Sequence, residues 1–334
     1  MEAIANESLA EKLTHCFANY RQESVTITNI KQLSGGASAE TLQFQYKIGE
    51  RLYQGILRRS AIQQASQFST SIAKSTEARV QQTCREYGIP VPEILFCLQN
   101  DDGLGDGYAM TCVAGESIPR KILRDPKLQN ARDQLTQQCG KILGQIHQVD
   151  TTPLQHLLDD QSALQQLRSL EALYRSYQQP SAVFEVAFRW LYSNAAEENS
   201  LTLVHGDFRN GNLMIDENGI AAVLDWELCH LGNPVEDLGW LCVNAWRFGS
   251  RLPVGGFGEL EELLDAYYQH TGRQVSQAEV HYWQLFGTLR WGIICMFQGN
   301  CYSSGLNTSM ELAAIGRRVS ETEYDLLNLL DEKS

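Results

Sequence analysis

Leu42, Phe44, Tyr46 and Ile48 alternate with polar residues without interruption, and this period of two constrains the chain more than any other feature. Successive side chains of a strand point to opposite faces, so the segment reads as a strand buried on one side that needs both pairing partners and a covering layer. The flanks supply the partners. Val25-Thr26-Ile27 opens a stretch running to Leu33, and Gly49-Glu50 turns the chain into a return segment from Leu52 to Arg58. Residues 25–58 are therefore expected to form a three-stranded antiparallel meander. A polar helix is expected over 76–87, stopped by Gly88, after which Pro90-Val91-Pro92 forces an extended exit into residues 93–98. The turn cluster from Asp101 to Gly107 leads to a fifth strand over 108–113.

Beyond Ile118 the period changes. Ala131, Leu135, Cys139, Ile142, Leu143 and Ile146 share one face of a helix ending near His147. Amphipathic stretches recur at 162–177, 183–196, 258–270, 278–298 and 311–330, interrupted by one short β stretch between Leu201 and Asp225. No internal repeat and no low-complexity linker is visible. With 334 residues the chain exceeds what one hydrophobic core usually holds. The expected class is α+β, with a small antiparallel sheet lobe over 1–112 and a large helical lobe over 113–334.

Composition removes several functions. Lys and Arg number 27 against 40 Asp and Glu, a net charge of −13, so no phosphate-backbone footprint and no nucleic-acid partner is expected. The acidity is uneven, −2 over residues 1–115 and −11 over 116–334, which reads as solubility of the helical part. No stretch approaches the roughly 20 apolar residues of a membrane span. Residues 1–13 lack a basic segment followed by an apolar one, and the expected location is the cytoplasm. Nine cysteines, none in a Cys-x-x-Cys pair, point to reduced thiols rather than a disulfide framework or a zinc site.

The segment from Leu201 to Glu227 carries the chemistry. An apolar strand delivers His205-Gly206-Asp207 into a loop, Asn212 starts a second strand, and a turn at Glu217-Asn218-Gly219 leads back to Asp225. Phosphoryl transfer needs such a set: a carboxylate to orient and deprotonate the attacking hydroxyl, and oxygen ligands for a magnesium ion that bridges nucleotide phosphates. Asp207 followed by Asn212 five residues later has the kinase spacing, with Asp225 at the position of the second aspartate. Asp207 is expected to be the base, with Asn212 and Asp225 as metal ligands. The absence of Gly-Lys-Ser/Thr excludes a Walker A loop.

At these residues the chain resembles the aminoglycoside phosphotransferase and choline kinase family, whose fold is that of a protein kinase with two lobes. His205-Gly-Asp-Phe-Arg209, Val223-Leu-Asp-Trp-Glu227, His230-Leu-Gly and Pro234-x-x-Asp237-Leu-x-Trp240 resemble in particular the branch containing the kinase-like domains of acyl-CoA dehydrogenase family members 10 and 11. The resemblance covers about residues 25–300 and is densest over 201–240. It implies that the loop with Ser34, Gly35, Gly36 and Ser38 covers nucleotide phosphates. It also implies that Arg58 stands where the family has a phosphate-pairing lysine, that Glu77 is its partner, and that Met110 and Cys112 complete the nucleotide site. Arginine keeps the charge but is not equivalent to lysine, and Arg59 beside it leaves the strand register open by one. His205 and Asp237 are expected to brace the catalytic loop, while His147 and His230 read as capping or packing residues. Arg209 is expected at the acceptor, in a catalytic or substrate role, with Arg290 as a further substrate residue; Glu227 is open between the substrate, a second metal reached through water and a structural salt bridge. A cation within the apolar face of the helix at 278–298, Arg290 wants either a buried carboxylate or an anionic substrate group.

The expected activity is ATP- and Mg2+-dependent transfer of the γ-phosphoryl group to a hydroxyl of a small molecule, with a hydroxyacyl-CoA or similar anionic metabolite as acceptor. The alternatives are an aminoglycoside O-phosphotransferase and a catalytically silent nucleotide-binding module. A protein kinase is disfavoured by the lack of an Ala-Pro-Glu segment. Composition and motifs say nothing about the oligomeric state.

Overall fold

The computed structural model describes residues 2–33, 39–60, 71–195 and 201–331. Its contacts divide the chain into two compact units that are not contiguous in sequence. The first comprises residues up to Glu116 together with Met214–Asp216 and Ile220–Cys229; the second comprises Ser117–Leu213, Glu217–Gly219 and His230 onward.

The first unit contains α1 (Glu2–Cys16), β1 (Thr26–Gln32), β2 (Ala39–Ile48), β3 (Arg51–Ser60), α2 (Lys74–Glu86), β4 (Ile94–Cys97) and β5 (Gly107–Thr111). The strands form one antiparallel sheet in the order β1-β2-β3-β5-β4. The alternation that predicted β2 operates as expected: Leu42, Phe44 and Tyr46 are buried and pack with Leu9, Leu13, Cys16 and Phe17 from the N-terminal segment. Phe17 lies 4.7 Å from the Tyr46 ring and 5.0 Å from that of Phe96. The sequence reading assigned no element to this segment, and α1 is the cover that the strand pattern demanded. On the opposite face Ile56, Tyr108 and Met110 pack with Ala78 of α2.

The alternation of β3 also decides the arginine register. Side chains two apart share a face, so Arg58 projects with Ile56 toward α2, while Arg59 turns away and its Nε donates to Glu40 Oε2 at 2.6 Å.

In the second unit and the segments that alternate with it follow α3 (Pro119–Arg124), α4 (Gln129–Arg132), α5 (Leu135–His147), α6 (Ala163–Ser176), α7 (Ala182–Asn194), β6 (Thr202–Val204), β7 (Leu213–Asp216), β8 (Gly219–Val223), β9 (His230–Gly232), α8 (Val235–Leu241), α9 (Leu260–Thr271), α10 (Gln277–Ser303), α11 (Met310–Gly316) and α12 (Val319–Asp331). β6 pairs antiparallel with β9, and β7 pairs with β8. Three expectations change. The helix expected to carry Ala131 begins at Leu135, with Ala131 on the separate single turn α4. The helix expected over 311–330 is two helices, because α11 ends at Gly316 where a Cβ would lie 2.5 Å from the Cα of Gly299 on α10. The strand β9 was not expected, being too short for periodicity to register.

All nine cysteines are free thiols, six of them buried. Among the described residues no helix is long and apolar enough to cross a membrane.

Candidate active site

In the first unit five charged side chains meet. Arg58 Nη2 donates to Asp225 Oδ1 at 2.8 Å and to Glu227 Oε2 at 3.4 Å, and lies 3.6 Å from Glu77 Oε1. Lys74 Nζ donates to Glu77 Oε2 at 2.9 Å and to Glu227 Oε2 at 3.1 Å. Glu77 is wholly buried and also accepts from the Tyr108 hydroxyl at 2.8 Å. Burial alone would disfavour the charged form of Lys74, but Glu77 and Glu227 outweigh it and raise its pKa; for Arg58, burial is likewise overcome by Glu77, Asp225 and Glu227. A backbone bond from Ile72 N to Glu227 O, 2.9 Å, ties the approach to α2 to the same segment. Asp225 itself adopts a left-handed backbone with φ +65, a conformation that costs a non-glycine residue of order 1 kcal/mol or more and persists only where surrounding contacts enforce it. The Nε of Arg58 is buried without a partner among the described residues, so one donor of the guanidinium is unspent.

In the second unit the loop after β6 is held from beneath. Asp237 at the start of α8 is fully buried and accepts from the backbone N–H groups of His205 at 2.8 Å and Gly206 at 2.9 Å. Its Oδ2 also faces His147 Nε2 at 3.2 Å, whose Nδ1 is 3.0 Å from the Tyr267 hydroxyl. Burial would raise the Asp237 pKa, but His147, together with the His205 backbone, outweighs it and holds the carboxyl below its ordinary range. His205 Nδ1 in turn accepts from the Asp207 backbone N–H at 3.2 Å.

This fixes Asp207, whose carboxylate takes three donors. Arg209 Nε reaches Oδ1 at 3.0 Å, Trp240 Nε1 reaches the same oxygen at 2.8 Å, and Asn212 Nδ2 reaches Oδ2 at 2.6 Å. Asn212 Nδ2 also donates to the Asp207 carbonyl at 3.0 Å. With its amide nitrogen committed twice, Asn212 presents its carbonyl oxygen as the group able to ligate a hard cation. Asp225 offers a carboxylate of which about a third is exposed. Amide and carboxylate oxygens fit Mg2+, which keeps several waters and asks few ligands of the protein. Among the described residues no group of three or more His, Cys, Asp or Glu side chains could form a metal cage.

The other expected site residues fall as follows. Met110 packs in the sheet core beside Ile56 and Tyr108, and Cys112 lies at its edge with its backbone N–H on Gln54 O at 3.1 Å. Ser34, Gly35, Gly36 and Ser38 lie outside the described residues. Glu227 forms the salt bridge that was one of its alternatives, within the charge cluster with Lys74 and Arg58. Arg290 has found the buried carboxylate that was its alternative: Nη1 is 3.3 Å from Glu236 Oε1 and 3.5 Å from Gly206 O, and the guanidinium lies 5.1 Å over the Trp240 ring. His230 joins Glu236 at 3.1 Å from the other side. Burial raises the Glu236 pKa, but His230 and Arg290 more than cancel this and hold it low.

Sequence reasoning missed Lys74 and gave Trp240 no role beyond its place in the motif. Each stands three residues from a residue it did identify, Lys74 before Glu77 and Trp240 after Asp237, and residues three apart share a helix face. That spacing was the available signal.

A family model described as "Phosphotransferase enzyme family" matches residues 29–278, and the chain belongs to that family. Among curated relatives, acyl-CoA dehydrogenase family member 11 of Homo sapiens is 28% identical over 291 residues, 80% of this chain and 35% of that protein. Member 10 of Mus musculus is 29% identical over 191 residues, 53% of this chain and 17% of that protein. The chain thus spans about a third or less of the length of these relatives. Among solved structures, a Ralstonia eutropha protein assigned as an aminoglycoside phosphotransferase superposes with a TM-score of 0.73 at 19% identity, covering 96% of this chain and 97% of that one. A spectinomycin phosphotransferase in complex with ADP and spectinomycin gives 0.64 at 15% identity, covering 96% and 98%.

Proposed function

We propose that the protein is an ATP-dependent kinase that phosphorylates a hydroxyl of a small anionic metabolite, a hydroxyacyl-CoA thioester being the leading class. The observation that carries the choice of acceptor is Arg209, whose guanidinium adjoins Asp207 and stacks 4.6 Å over the Trp246 ring. A cation beside the base repels a polycation and attracts a phosphate or carboxylate. The similarity to acyl-CoA dehydrogenase family members supports a thioester acceptor. Arg290, neutralised by Glu236, takes no part in this reading.

In the reaction, Asp207 accepts the proton of the acceptor O–H. The acceptor oxygen bonds to the γ-phosphorus, the bridging P–O bond of ATP breaks, and ADP carries away that electron pair. Arg58 supplies positive charge toward the phosphates. Asn212 and Asp225 would supply oxygen ligands to Mg2+, whose charge would offset that of the phosphates. His205 and Asp237 keep the loop in place, so the base meets the hydroxyl without reorganising first.

The test is ATP consumption with a panel of hydroxyacyl-CoAs and kanamycin-type aminoglycosides in the presence of Mg2+. Turnover on the thioesters is expected; turnover on aminoglycosides alone would move the assignment to the second reading, which the net charge of −11 over residues 116–334 favours. Absence of Mg2+-dependent ATP binding would leave neither.

A further inference from the structure

The three donors on Asp207 are not alike. Trp240 is 4% exposed and Asn212 6%, so both are fixed by packing, whereas a quarter of the Arg209 side chain is open to solvent. Oδ1 already carries two donors, Arg209 and Trp240, which is what the lone pairs of one carboxylate oxygen take. An acceptor hydroxyl directed at Oδ1 therefore has to displace one of them, and only Arg209 is placed to leave. Its guanidinium carbon lies 4.6 Å from the centroid of the Trp246 ring, an attractive face beside the carboxylate. The seat is shaped for it: Gly211 has φ +121, and a Cβ there would stand 2.6 Å from Arg209 Nη1.

We infer that Arg209 is a specificity-determining latch on the base. An anionic group of the acceptor draws the guanidinium off Oδ1, and the same movement opens that oxygen to the acceptor hydroxyl. Charge recognition and access to Oδ1 are then one event, and neutral hydroxyl compounds and water, which cannot pull the latch, reach that oxygen less readily. The inference rests on the kinase reading above and adds to it the reason an anionic acceptor is required.

Water is the simplest neutral acceptor, so the experiment measures Mg·ATP hydrolysis without any other acceptor in the wild-type chain, Arg209→Leu and Arg209→Gln, alongside Mg·ATP binding. The latch predicts that Arg209→Leu raises hydrolysis by about tenfold, the scale of one lost hydrogen bond to a charged group, with Arg209→Gln rising less. Arg209→Gln keeps the shape and a donor, and provides the answer if Arg209→Leu does not fold. Hydrolysis at or below the wild-type rate in a variant that still binds Mg·ATP would overturn the latch and leave the kinase reading standing. Loss of Mg·ATP binding in all three proteins would overturn both.

Discussion

The two clusters reach comparable order by opposite means. In the first unit, Arg58 and Asp225 are 167 residues apart in sequence, and the contact is an ion pair within a set of two cations and three carboxylates. In the second, Asp207 and Asn212 are five residues apart, Asp237 lies some thirty residues further on, and the contacts are directional hydrogen bonds from backbone and amide groups. Charge balance governs the first cluster and geometry the second. A buried ion set is sensitive to the removal of any one charge, because the desolvation already incurred by the others is left uncompensated. A hydrogen-bonded loop is sensitive to loss of the acceptor that collects its N–H groups.

The largest expected effect is on the geometric side. Asp207→Asn should leave folding and ATP binding intact but lower turnover by about 10²-fold or more, the scale of general-base loss; near-full turnover in that variant would remove Asp207 from the role. Asp237→Ala should destabilise the second unit by about 3–5 kcal/mol, read as a drop in melting temperature, since two backbone N–H groups and His147 lose their common acceptor in a dry site. A shift within experimental error would mean that the loop is held by something else.

The charge cluster is addressed next. Lys74→Met should destabilise by about 2–4 kcal/mol and raise the KM for ATP, while Lys74→Met combined with Glu227→Gln should recover part of the loss, because the pair is removed together. Strict additivity of the two substitutions would break the contrast between the clusters. Trp240→Phe is a finer probe of the second cluster: it removes one donor from Asp207 Oδ1 and keeps the ring, so kcat should change by about 3- to 10-fold in either direction with little change in melting temperature.

The smallest effect is pH dependence. Glu236 and Asp237 are held below their ordinary pKa in the folded chain, so the stability they contribute is fully present above the unfolded carboxylate value of about 4 and is lost as pH falls through the lower folded values. Acid titration of wild type against Glu236→Gln should therefore show a shallower decline in the variant below about pH 4; parallel curves would argue against the assignment.

Much of this was legible in the residues themselves. The period of two in Leu42 to Ile48, the turn residues, and the spacing of Asp207, Asn212 and Asp225 are local, and local patterns reflect backbone chemistry that holds wherever the segment sits. The five strands of the sheet and most helices follow from them. Only the tertiary structure decided which partner each charge found. Arg58 or Arg59 was open until the pairing of β3 set the inward face, Arg290 was open until Glu236 stood 3.3 Å away, and Lys74 drew no notice in the sequence, its Nζ being buried between Glu77 and Glu227 only in the fold. An ion pair has no period along the chain. Its strength depends on distance and on the dielectric around it, and both are set by segments far away in sequence.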